Sequence, residues 1–196
     1  MENTMTSIAR ALLLSIALLA LPAVAATEVR GVKFTDTLQL ATQPLQLNGA
    51  GVRVKVIIDL YAAGLYVLKT DTNAANVVGQ PGAKVMKIVL LRDLTGEDFA
   101  DATVKGFKAN NSEADQAKFQ AKLNEIKAMM LDFGPVKKGT VIQIDFVPGE
   151  GTHVLLDGKR RGPEITGDDF QQAVLRIWLG PKPVDSDLKQ SLLGGK

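Results

Sequence analysis

The chain has 196 residues, with 23 lysines and arginines against 21 aspartates and glutamates, one histidine and no cysteine. A net charge of +2 with no clustered excess leaves no nucleic-acid footprint. The missing cysteines exclude disulfides, thiolate nucleophiles and cysteine-based metal centres.

Arg10 precedes an apolar run over residues 11–21, and Pro22-Ala23-Val24-Ala25-Ala26 follows with small residues at the −3 and −1 positions. This is the charged start, apolar middle and small-residue exit of a secretory signal peptide. Residues 1–26 are therefore expected to leave on export, with cleavage after Ala25 or Ala26. A spanning helix needs about 20 apolar residues, and this run is shorter. The expectation is one periplasmic or secreted domain over residues 27–196, without stable membrane insertion after cleavage. A domain of that size buries a sizeable core without a covalent staple.

Residues 29–34 read as a strand. Leu45-Gln46-Leu47 reads as another, and Asn48-Gly49-Ala50-Gly51 as a turn after it. Residues 53–59 are rich in valine and isoleucine and predict a strand, followed by one over residues 59–68. Gly64 within it marks a bulge or a close backbone approach. Residues 84–91 predict a further apolar strand.

Thr95 with Asp98 opens a helix whose Phe99, Ala102, Thr103, Gly106 and Phe107 share a face. Ser112 with Asp115 opens the longest helix, through Phe119, Leu123, Ile126, Met130 and Phe133, until Gly134-Pro135 stops it. Residues 140–147 alternate, with Ile142, Ile144 and Phe146 on the apolar side. A turn at residues 148–151 leads into a strand at 152–156. Thr166 with Asp169 predicts a third helix cap before Phe170, Val174, Ile177 and Trp178, and Gly180-Pro181 ends that helix. Asp185 predicts a short final helix. Strands, helices, strands and helices in that order argue an α+β fold, a largely antiparallel sheet covered on one face by helices.

Little in this sequence carries catalysis. His153 has no second histidine or cysteine as partner and reads as an ordinary strand-end residue. Asp168-Asp169 favours a helix start. Lys159-Arg160-Arg161 reads as a solvated hairpin tip, and Met129-Met130 as core or helix edge. Gly49-Ala50-Gly51 lacks the spacing of a phosphate loop. No nucleophile elbow is present. No catalytic residue, metal ligand or cofactor is predicted, and no nucleic-acid partner. Arg53 stands apart, because it interrupts an apolar run. It either turns outward, or pairs with Asp59 or a helix carboxylate, or points inward and needs an anion.

Three stretches together resemble the chalcone isomerase-like superfamily, specifically its bacterial exported branch. They are residues 47–53 continuing to Tyr61-Ala62-Ala63-Gly64-Leu65-Tyr66, then Leu94-Thr95-Gly96-Glu97-Asp98-Phe99, then residues 170–180 followed by Pro183-Val184-Asp185. The resemblance covers nearly the whole of residues 27–196. It implies an open-faced β-sandwich, with a large antiparallel sheet backed by a layer of helices and a ligand cleft between them.

The isomerases of that superfamily use an arginine, a threonine, a tyrosine and an asparagine. Here the arginine matches Arg53, but the threonine falls on Tyr61, the tyrosine on Phe99 and the asparagine on Gly106. Three of four polar groups differ, and a general acid must lie within hydrogen-bond reach. The plant relatives that bind fatty acids hold the carboxylate with an arginine and a tyrosine, which match Arg53 and Tyr61. The resemblance therefore implies noncatalytic binding of a fatty acid or similar small apolar acid. Arg53 and Tyr61 would hold the head, with Phe99, Gly106 and Phe107 along the chain. A cofactor-free isomerase or lyase, with Arg53 as electrophile and Tyr61 as acid, is the alternative.

Overall fold

The computed structural model describes residues 26–195, and the expected signal peptide lies outside them apart from Ala26. A hairpin of β1 (Ala26–Val29) and β2 (Val32–Thr35) opens the chain. β3 (Thr37–Leu40), β4 (Gln43–Lys55), β5 (Ile58–Val67), β6 (Lys84–Leu90), β9 (Val141–Val147), β10 (Gly151–Leu156) and β11 (Lys159–Ile165) then form one antiparallel sheet. Their order is β11-β10-β9-β6-β5-β4-β3. The helices among the described residues are α1 (Ala74–Gly79), α2 (Gly96–Asn110), α3 (Glu113–Lys118), α4 (Gln120–Leu131), α5 (Asp168–Leu179) and α6 (Ser186–Leu192). A two-residue ribbon of β7 (Leu94–Thr95) and β8 (Pro135–Val136) ties the start of α2 to the end of α4.

The period-two pleat divides the core. Along β5, Tyr61, Ala63, Leu65 and Val67 enter the main core with Ile88, Ile144, Phe107 and Trp178, between sheet and helices. Ala62 and Tyr66 face the other way, into a smaller cluster where Phe34 of the opening hairpin caps the sheet. Gly64 lies on that second side, and a Cβ there would stand 2.5 Å from Phe34 Cδ1. The glycine is a close approach. The α+β architecture, a large antiparallel sheet backed by helices, is as expected.

Several local expectations are corrected. Residues 29–34 form a hairpin and not one strand, because Arg30 (φ 51°) and Gly31 (φ 80°) both take left-handed geometry at its turn. Asn48-Gly49-Ala50-Gly51 is no turn but the middle of β4. Its glycines make room for α6: a Cβ on Gly49 would meet the Ser191 carbonyl at 2.1 Å, and one on Gly51 the Ser191 Cβ at 2.5 Å. The turn falls instead at Val56-Ile57, within the run read as a strand.

The longest helix is α2, since the segment from Glu113 breaks at Phe119 (φ −101°, ψ 9°) into α3 and α4. Leaving the helical path sends that ring against Phe107 and Phe170, at 6.4 and 5.4 Å between centroids. Lys159-Arg160-Arg161 is not a hairpin tip. The tip is Asp157-Gly158, and the three residues open the edge strand β11, where Arg160 pairs with Glu164 at 2.6 Å. The cap of α5 is Gly167, without a side-chain bond, and Asp169 instead pairs with Lys118 at 2.6 Å.

Candidate functional site

Arg53 and Tyr61 are directly opposite across β4 and β5, so the pleat turns both to the helix side. Between Tyr61 and the next pair, Val54 with Asp59, the register shifts and Leu60 is left over. Such a bulge increases twist and re-aims side chains. A tether holds this stretch in place: Asp185 caps α6 with one carboxylate oxygen and accepts the Val54 N–H with the other, at 2.8 Å.

The Arg53 guanidinium carbon stands 5.6 Å from the centroid of the Tyr61 ring, a cation–π arrangement. Arg53 is half-buried. The expected alternative partner, Asp59, is taken by Arg30 at 2.8 Å. Among the described residues no carboxylate comes within 4.0 Å of Arg53. Of the three readings of this arginine, the outward one and the pairing with Asp59 both fail.

Tyr61 is buried, and its Oη accepts the Trp178 Nε1–H at 2.9 Å. The phenol keeps its own O–H to give. Burial pushes that hydroxyl above its ordinary range, against the pull of the Arg53 guanidinium and the Trp178 N–H. At neutral pH it is a donor, not an anion. Trp178 was legible only as a core residue; its part here follows from the rule that a buried indole N–H needs an acceptor.

Beside the pair, residues of β5, β6, β9, α2, α4 and α5 line an apolar pocket of about 20 Å³, room for roughly one water. Phe99, Met130 and Ile177 are among its lining residues, and Thr103 spends its hydroxyl on Met130 Sδ at 3.2 Å. Arg53 also lines two open grooves, one of about 410 Å³ along the first turns of α2 and one of about 350 Å³ towards Pro183. Phe99 stands with Arg53 and Tyr61 in the first groove, and Gly106 lines the second. Gly106 also lets two helices meet, because a Cβ would stand 2.8 Å from Ile177 Cγ2. Phe107 does not join them. It is fully buried on another side of α2, against Phe119 and Phe170.

Tyr61→Phe is expected to strand the Trp178 N–H in the core and to cost about 1–3 kcal/mol of stability. Chemical denaturation of the two proteins measures it, and an unchanged midpoint would mean that the indole finds another acceptor.

No curated protein matches this sequence. Among solved structures, a fatty-acid binding protein of Arabidopsis thaliana superposes with a TM-score of 0.64 over 83% of this chain and 92% of its own, at 17% identity. That likeness is one of fold, a large sheet backed by a helical layer. A family described as chalcone isomerase-like matches residues 26–194, from the first described strand to the end of α6. With match and architecture in agreement over the whole described domain, the chain belongs to the chalcone isomerase-like family.

Proposed function

We propose that the protein binds a fatty acid or similar apolar carboxylate without transforming it, and does so after export, in the periplasm. One observation carries the reading: Arg53, with no carboxylate of its own, sits beside a neutral phenol with a free O–H, at the mouth of an apolar interior. A guanidinium forks onto a carboxylate through two N–H bonds, and the phenol adds a third donor. The fatty-acid binding named for the Arabidopsis protein supports the same ligand class. The acyl chain would enter under α2 by displacing Met130, since the interior has room for only about one water. Phe99 and Gly106 offer no proton donor for the cyclisation that the isomerases perform.

Native mass spectrometry of protein recovered from a periplasmic fraction tests both parts. The expected species begins at Ala26 or Thr27 and carries the mass of one fatty acid, released on denaturation. A species retaining residues 1–25 would overturn export. One that stays empty after incubation with laurate would overturn the ligand.

A further inference from the structure

The turn between β4 and β5 departs from what a two-residue hairpin turn requires. Its first position has positive φ, a place that favours glycine, yet it holds Val56 at φ 62°. A β-branched residue there is a true outlier, and such strain clusters where a segment has a task. Val56 is 91% exposed and Ile57 is 88% exposed, and Val54 and Ile58 beside them are exposed as well. Four aliphatic side chains thus stand in solvent at the tip of the longest strand pair.

Charges of both signs surround this tip. Asp59 is held by Arg30 at 2.8 Å, and Asp93 by Lys137 at 2.9 Å. Asp98 closes the capping box of α2. Lys55 and Arg92, which line the groove under the tip with Leu60 and Leu94, have no ion-pair partner among the described residues. Aliphatic side chains at a projecting tip, flanked by two cations that form no salt bridge among the described residues, match an interface of acyl chains beneath anionic headgroups.

We infer that the β4–β5 tip docks the protein on an anionic lipid bilayer, with Val56 and Ile57 below the headgroups and Lys55 and Arg92 among them. The contact is peripheral, for no helix among the described residues is long and apolar enough to cross a membrane. The groove beside Arg53 shares Lys55, Leu60, Leu94 and Asp98 with the groove under the tip, so docking sets the proposed acid site at the lipid surface. The inference goes beyond acid binding, and it stands or falls separately.

Because the chain has no cysteine, one cysteine at Ile57 takes a single environment-sensitive fluorophore. Vesicles of phosphatidylcholine and phosphatidylglycerol are expected to shift its emission to the blue, and brominated acyl chains to quench it. A fluorophore at Glu113, beyond the far end of α2 and about 20 Å along that helix, is expected to stay unchanged. The double variant Val56→Gly with Ile57→Ser is expected to lose vesicle partitioning by roughly tenfold for each side chain withdrawn. It should bind laurate as before and melt no lower than the parent, since glycine suits the turn. A fluorophore at residue 57 that vesicles leave unshifted would overturn the inference. So would a parent whose self-association, and not its vesicle binding, vanishes in the variant. Vesicle docking without any laurate binding would uphold the inference and overturn the acid-binding reading.

Discussion

Replacing Arg53 by methionine is expected to weaken fatty-acid binding by about 2–4 kcal/mol, the scale for losing one partner of a buried charge pair. The empty protein is expected to melt at the same temperature or higher. Both halves follow from the surroundings of the guanidinium. It lies half-buried over the Tyr61 ring with no carboxylate within 4.0 Å among the described residues, so removing it strands no anion there. Methionine keeps most of the aliphatic stem against α2. The loss then appears only when a carboxylate arrives. Laurate titration by calorimetry, with melts of both proteins with and without the acid, measures the two effects together. A large fall in melting temperature with unchanged laurate affinity would make Arg53 a structural arginine and sink its role as anchor.

Met130→Ala is expected to cost the empty protein about 2–5 kcal/mol, the range for truncating a buried methionine. The same change is expected to enlarge the rise in melting temperature that laurate produces. Met130 is buried on α4, fills the floor of the interior pocket and takes the Thr103 hydroxyl on its sulfur. In the parent an acyl chain must first move that flexible side chain, at a cost taken from binding. In the variant the space stands open, so a ligand refills a cavity that apolar contacts had lost. Differential scanning calorimetry across a laurate series reads both quantities. A variant that melts lower and gains no more from laurate than the parent would mean that the space under α2 serves packing alone.

Much of this was legible along the chain because it is local. The capping box at Thr95 and Asp98 needs only residues three apart, and it forms as expected. The alternation of Ile142, Ile144 and Phe146 gave the buried side of β9 directly. Arg53 stood out because a charge among valines and isoleucines must be explained wherever it points. Asp185 announced the last helix, although its second bond, to the Val54 N–H, crosses 131 positions and leaves no local trace.

What failed was set by neighbours distant in sequence. Asn48-Gly49-Ala50-Gly51 has turn composition, yet its glycines answer to the close approach of α6, more than a hundred positions later. Phe119 fits a helical stripe, but the aromatic cluster with Phe107 and Phe170 breaks the helix there. The same cluster takes Phe107 out of the predicted site: one helical face looked uniform in sequence, and two different layers divide it in space. Val56 and Ile57 looked like part of a strand, because propensity is blind to a tip that stands in solvent.

The sequence by itself determined the α+β class, the capped starts of α2, α3 and α6 and Arg53 as a charge out of place, and the family resemblance added its pairing with Tyr61. The class, the caps and the misplaced charge rest on periodicity and on residues close along the chain, whereas the pairing is what the resemblance implies. Only the tertiary structure decided that Arg30 takes Asp59 and leaves Arg53 free, that Trp178 holds the Tyr61 oxygen, and that the interior has room for about one water. Those are outcomes of competition among groups brought together from distant strands and helices, and no local pattern records which partner wins.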